Sequence, residues 1–216
     1  LLGLVTMRQV VINSPRILAM MALLLPATIG RAQVTTSNLG AGISLFYEVK
    51  SDNWVGQAFT TDANSYTLDS VTLNMGTATT TGGLFSVGIY SNSLGNPGTL
   101  LKTLTGSTNP ASDSNYTFTS SGLSLTANNT YHVVASVSSG LANYSWQNTS
   151  DTTETGPWVF PNYITLSTNQ GGGWAQGGTN MIMSVSATPI PEPSTYATMC
   201  GVLALGWAAW RHRSCA

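Results

Sequence analysis

Residues 130–137 read TYHVVASV, and their alternation decides the fold: Tyr131, Val133, Ala135 and Val137 fall on one face. Residues that alternate apolar and polar with a period of two describe a half-buried strand. The same pattern runs through residues 84–91, LFSVGIYS, where Phe85, Val87 and Ile89 face one way and Ser86 and Gly88 the other. It returns in Met181, Met183, Val185 and Ala187 of NMIMSVSATP. Working outward, VGQAFTT, YTLDSVTLNM, TLLKTL, NYTFTS and NYSWQN are further strands, filled by the Thr, Val and Tyr that pleated surfaces favour. Turn formers separate them, among them Asn128-Asn129, Ser139-Gly140 and Gly95-Asn96-Pro97-Gly98. In the last group Pro97 and Gly98 fit the central positions of a type II turn. One strand breaks parity. Leu68 is followed inward by Val71, Leu73 and Met75, so an extra residue near Asp69-Ser70 is required, a β-bulge or a corner between sheets. Many short strands at regular spacing, with no helical period between Gln33 and Thr188, predict an all-β fold: a two-sheet antiparallel sandwich, jelly-roll-like.

Composition limits what this sandwich can do. Residues 33–188 have the length of one domain and can bury a core without staples. They hold no cysteine, since Cys200 and Cys215 both lie later. Charged residues make up only 7% of the chain, and Lys50 and Lys102 are the only basic residues between Gln33 and Thr188. Two lysines cannot neutralise a run of phosphates, which excludes nucleic acid as a partner. Solubility falls to hydroxyls and amides instead.

The two ends differ from this middle. Pro191-Glu192-Pro193 fixes an extended, exposed tripeptide. Tyr196 to Trp210 follows without a charge, and Arg211, His212 and Arg213 close the segment. As a helix the apolar run spans roughly 22 Å, short against a bilayer core of about 30 Å. Its flanking Tyr196, Trp207 and Trp210 suit the interfaces, and the arginines favour the cytoplasmic side. Cys200 to Trp210 lacks the polar stripe that a packed helix of a globular domain would carry. At the other end, Met7 to Arg16 carries Arg8 and Arg16, Ile17 to Ile29 is apolar but broken by Pro26, and Gly30-Arg31-Ala32 places small residues at a cleavage site. This is the pattern of a secretory signal peptide, with Leu1 to Thr6 upstream of a plausible start at Met7 and cleavage expected between Ala32 and Gln33. The expected division is therefore 1–32, a signal helix; 33–188, the sandwich; and 189–216, a tail with a transmembrane helix.

Pro191-Glu192-Pro193-Ser194-Thr195, the hydrophobic run and the basic Arg211 and Arg213 together resemble the PEP-CTERM protein-sorting signal. The resemblance covers the last tenth of the chain. It implies a Gram-negative host that makes exopolysaccharide, and cleavage of the tail by exosortase, an integral-membrane transpeptidase-like enzyme. Some catalogues give this tail the label of ice-binding proteins. The order WVGQAFTT, YTLDSVTLNM, GGLFSVGIYSNSLGNPGTLLKTLTG, NYTFTSSGLSLTANNTYHVVAS and YSWQNT resembles a second family, the choice-of-anchor R domain, over roughly residues 49–185. That family implies a β-sandwich surface module ahead of an anchor, and it carries no catalytic residue over.

Chemistry is sparse between the ends. His132 is the only histidine of residues 33–188 and sits mid-strand without a Gly-x-Ser-x-Gly elbow, so it reads as a surface histidine rather than part of a hydrolytic triad. Without cysteine, thiolate catalysis and His/Cys zinc sites are excluded. Asp151 and Glu154 are close in sequence but on a loop, where solvated acids are the better reading than a glycosidase pair. That loop and Ser51 to Trp54 are the only stretches open to calcium, and neither has EF-hand spacing. Tryptophans are more informative. Trp54 and Trp146 read as plugs between the sheets. Trp174, inside NQGGGWAQGGTN, and Trp158, beside Pro157, read as exposed rings that could stack on a sugar. The expectation is an exported, non-enzymatic surface or matrix protein without cofactor or metal. It is handled by signal peptidase and an exosortase-like enzyme, is transiently in the membrane through 196–210, and is structural or adhesive among exopolysaccharide. A carbohydrate-binding module is the alternative. A glycosidase is weaker, and so is ice binding, which would want regular threonine arrays rather than the single cluster Thr79-Thr80-Thr81.

Overall fold

A computed structural model describes residues 32–191, 200–207, 210 and 211. The strands are β1 (Val34–Ser37), β2 (Leu45–Val49), β3 (Trp54–Thr60), β4 (Tyr66–Thr80), β5 (Phe85–Ser93), β6 (Asn96–Thr103), β7 (Ser114–Leu125), β8 (Thr130–Val137), β9 (Asn143–Thr149), β10 (Ile164–Ser167), β11 (Ala175–Gly177), β12 (Asn180–Met181) and β13 (Met183–Pro189). They form the expected two-sheet antiparallel sandwich. A seven-stranded sheet runs β1-β13-β4-β9-β12, with β2 on β9 and β7 on β4; a six-stranded sheet runs β11-β10-β3-β8-β5-β6. Consecutive strands mostly lie in opposite sheets, so the chain sews the layers together. Residues 200–207, 210 and 211 are helical, and no helix among the described residues is long and apolar enough to cross a membrane.

Period-two burial builds the core. Phe85, Val87 and Ile89 of β5 share one core with Val133, Ala135 and Val137 of β8 and with Leu73, Phe118 and Val185 of the other sheet, Phe85 meeting Phe118 at 5.8 Å between centroids. The parity break in β4 is a bulge. Against β13, Ser70 pairs with Ser186 and Leu68 with Ala187, so Asp69 is the extra residue, and Leu68 and Val71 are both fully buried. The displaced Asp69 carboxylate accepts bonds from Gln33 Nε2 and Thr188 Oγ1, each at 2.8 Å. The turn expected at Pro97-Gly98 is a correction. Ser93 pairs with Asn96 and Asn92 with Pro97, so the two turn residues are Leu94 and Gly95, with φ of 53° and 84°. Positive φ at both positions is a type I′ turn, whose twist matches the flanking strands, and Pro97 lies inside β6.

Two buried amides hold the break between β12 and β13, and the first of them also joins the layers. Gln57 points inward from β3. Its Oε1 accepts the Met181 N–H at 2.8 Å, and its Nε2 donates to the carbonyls of Pro161 at 3.0 Å and Tyr163 at 3.3 Å. Asn38 holds the other side of the break between β12 and β13, donating to Met181 O at 3.0 Å and accepting from Met183 N at 2.7 Å. Buried backbone groups need partners, and here side chains supply what a continuous strand would have.

Candidate functional site

The outer face of the six-stranded sheet carries Trp54 and Trp174. Val55 and Phe59 of β3 belong to the core and Gln57 shares their face, which turns Trp54 outward. Trp54 pairs with Ser167 of β10, and the register that matches Leu166 with Ala175 puts Trp174 across from Ser167 on the far side. On the other flank of β3, the register that matches Val55 with Ala135 brings Ser136 beside Trp54, and Ser136 pairs with Ser86 of β5. One row across the sheet therefore reads Trp174, Ser167, Trp54, Ser136, Ser86. Gly171 fills the gap between the indoles: a Cβ there would lie 2.9 Å from Cζ3 of Trp54 and 3.8 Å from Cζ2 of Trp174. Its φ of 84° also demands glycine. Ser167 Oγ, wholly buried beneath, accepts the Gly171 N–H at 2.8 Å and donates to Asn169 Oδ1 at 2.9 Å, fixing the loop. Trp54 and Trp174 are both only partly exposed, which corrects the reading of Trp174 as an exposed ring, and the Trp54 indole N–H is enclosed without an acceptor.

Next to this row the β5–β6 hairpin folds across the sheet. Gln176, outward on β11, donates from Nε2 to Gly95 O at 2.9 Å, although β11 and β6 are opposite edges of the sheet. Asn92 Oδ1 accepts the Gly95 N–H at 3.1 Å and bonds Nε2 of His132 at 3.0 Å. His132 is consequently 0% exposed, which corrects its reading as a surface histidine. With Nε2–H donating, Nδ1 is the bare nitrogen, buried without a partner, and burial pushes the imidazole pKa down to about 4.

Trp158 is a second correction. It is 2% exposed, stacked on Phe59 with centroids 5.7 Å apart and edge-on to Tyr66 at 5.0 Å. Bridges from Ser37 to Thr155 and from Thr60 to Val159 hold this segment against both sheets, so its indole closes the sandwich instead of meeting solvent. Trp54 is a third: it lies on the outer face, not between the sheets. Trp146 is the inner plug, fully buried with Nε1 donating to Ile182 O at 3.0 Å. The loop acids have local partners. Asp151 accepts from the backbone and hydroxyl of Thr153 at 2.9 and 2.7 Å, which lowers its pKa, and Glu154 accepts the Phe160 N–H at 3.3 Å.

A second concavity had no sequence signal. The loop before β5 and the loop after β6 border a cleft of about 310 Å³ lined by Leu84, Phe85, Leu104, Ser107, Thr108 and Phe118. An adjoining hollow of about 360 Å³ shares Leu84 and Thr108. Neither lining holds a charge. The segments are distant in sequence, so only the fold unites them.

Of the residues expected from the sequence to be processed, Ala32 and Gln33 are exposed and precede β1 outside any regular element, and Pro191 follows β13. Arg211 is helical, with its guanidinium carbon 5.6 Å from the centre of the Trp207 ring. Glu192, Pro193 and Arg213 lie outside the described residues. Comparison with protein-family models and with curated proteins finds no match to this chain. What stands is the class: a two-sheet antiparallel β-sandwich with a tryptophan row on one outer face.

Proposed function

We propose that this chain is an exported, non-enzymatic surface or matrix protein. An N-terminal signal is removed between Ala32 and Gln33. The tail 189–216 holds the precursor in the membrane through a transmembrane helix over 196–210, until an exosortase-like enzyme recognises Pro191-Glu192-Pro193. The sandwich is then displayed as a structural or adhesive module in an exopolysaccharide-rich layer of a Gram-negative cell.

One observation supports this reading most. β1 and β13 are antiparallel neighbours with Val34 opposite Ala187, so the domain's entry and exit leave the same end of the same sheet edge. Strand pairing begins just after Gln33 and ends at Pro189, with Ile190 N–H on Ser65 O at 2.8 Å. Both proposed cuts thus fall beyond the last paired residues, and one membrane could hold both ends while the domain folds. Among the described residues, removing either end sacrifices no member of the core.

Terminal peptide mass spectrometry on surface material of the native host tests it. The expected mature chain begins at Gln33 and lacks Tyr196 to Ala216. Surface material that yields intact peptides through Arg211 would overturn the processing claim.

A further inference from the structure

We propose that the row formed by Trp174, Gly171 and Trp54 is a binding platform for an extended, neutral polysaccharide. The backbone positions of the two tryptophans are two strands apart, about 10 Å at ordinary strand spacing, and the rings lean toward each other over Gly171, where a Cβ would lie 2.9 Å from Trp54 Cζ3 and 3.8 Å from Trp174 Cζ2. Gly171 lies between them, so the apolar surface is one strip rather than two isolated rings. The strip is held before any ligand arrives. Trp54 is fixed by β3, and the loop bearing Gly171 is bonded to the buried Ser167 hydroxyl.

The surroundings select the ligand class. Around the rings stand the exposed amides of Asn169, Gln170 and Gln176, with Ser136 and Ser86 continuing the row. Between Glu154 and Glu192 the chain carries no charged residue, so the Gly171 loop, β10 and β11 are neutral, and β3 itself, Trp54–Thr60, holds no charge. An anionic polysaccharide finds no cation there, and a nucleic acid would stack its bases but leave its phosphates unpaired. A sugar whose hydroxyls are equatorial has two flat C–H faces and a hydrogen-bonding rim. The faces cover indoles, and the rim meets amides and hydroxyls that both donate and accept. Polar groups around an apolar base are the general form of a specific site. Two neighbouring rings continued by serines across the sheet suit consecutive residues of a chain better than one free sugar.

The test is affinity electrophoresis of the purified full chain in gels containing soluble β-glucan, galactomannan or alginate, followed by titration calorimetry on whichever retards it. Because the purified chain is used, the outcome is independent of how the cell processes the ends. At least one neutral polysaccharide should retard the chain, and alginate should not. Trp174→Ala should raise Kd about tenfold, within the range of single-ring stacking losses, with the thermal midpoint unchanged. Trp174→Phe, which keeps a ring and is certain to be tolerated if any substitution is, should fall between the two. No retardation by either neutral polymer, retardation by alginate alone, or equal affinity in wild type and both variants would each overturn the proposal.

Discussion

Acid should weaken this protein before its carboxylates titrate, and His132 should be the reason. In the folded chain its Nδ1 faces no partner, so protonation there creates an ammonium-like N–H in a buried site. Its pKa is lowered from 6.5 to about 4. In the unfolded chain the imidazole is solvated and titrates near 6.5. Between those values the unfolded state binds the proton and the folded state does not. Stability is therefore fully present above pH 6.5 and drains as pH falls toward 4. The loss should be about 2 kcal/mol by pH 5 and about 3 kcal/mol once both states are protonated, from 1.36 kcal/mol for each tenfold change in proton affinity. Urea unfolding at pH 7.5, 6, 5 and 4.5 measures it, with His132→Gln as the reference that keeps a polar side chain at the site but removes the titration. The wild-type curve should fall by about 2 kcal/mol more than the variant between pH 7.5 and 5. Asp151, whose pKa lies below its ordinary value, acts only at lower pH and is common to both proteins. Parallel curves for wild type and His132→Gln would refute the buried, neutral imidazole.

Three further perturbations follow from the same structure. Leu94→Asn should stabilise the chain by about 1 kcal/mol, because Leu94 is 98% exposed at φ 53° and asparagine tolerates that conformation better; calorimetry should show the midpoint rising by a few degrees. Gln57→Leu should destabilise by about 3 kcal/mol in urea, since it strands the Met181 N–H and the Pro161 carbonyl in the interior. Trp158→Ala should cost about 3–5 kcal/mol by the same assay, as expected for an aromatic ring packed on Phe59 and Tyr66 rather than an exposed one.

What the sequence revealed and what it hid have a common physical origin. Strand parity is local, so the core faces of β5, β8 and β13 could be read directly, and so could the bulge, because Leu68 and Val71 cannot both face inward without an extra residue. Turn type was less legible. Pro97-Gly98 carries stronger local cues than Leu94-Gly95, yet the twist of the hairpin selects the latter and forces a leucine to positive φ. Parity also failed on β3, where Val55, Gln57 and Phe59 compete with Trp54, Gly56 and Ala58. An inward glutamine blurs the contrast, and only the partners that Gln57 finds on Met181 and Pro161 explain its side. For His132 parity gave the outward face correctly, but the hairpin that returns over it is a contact between sheet edges far apart in sequence. Trp174 was only partly legible: three glycines precede it and offer no side chain to cover a ring, yet the loop folds so that the ring is partly buried. Trp158 was not legible, since Gly156-Pro157 marks a loop without saying that the loop crosses the end of the sandwich.

The layout of the sandwich joins the two proposals. The ends of the domain leave from β1 and β13, in the seven-stranded sheet, whereas the tryptophan row lies on the outer face of the six-stranded one. Two packed sheets present opposite outer faces, so a chain held by residues beyond Pro189 is held from the sheet that does not carry the row. Attachment and stacking then make no competing demand on the same surface. The rigidity of the connection matters as well. β13 is bonded along its length to β4 on one side and β1 on the other, and Asp69 at the bulge ties Gln33 and Thr188 together at the exit. A pull on the tail is thus shared by two strand neighbours and one carboxylate before it reaches the core. Shear along paired strands loads many hydrogen bonds at once, while peeling from an edge would load them one at a time. Under the two proposals, an exit strand placed inside the sheet, with the entry strand as its outer cover, would spread a load between surface and polymer over both neighbours.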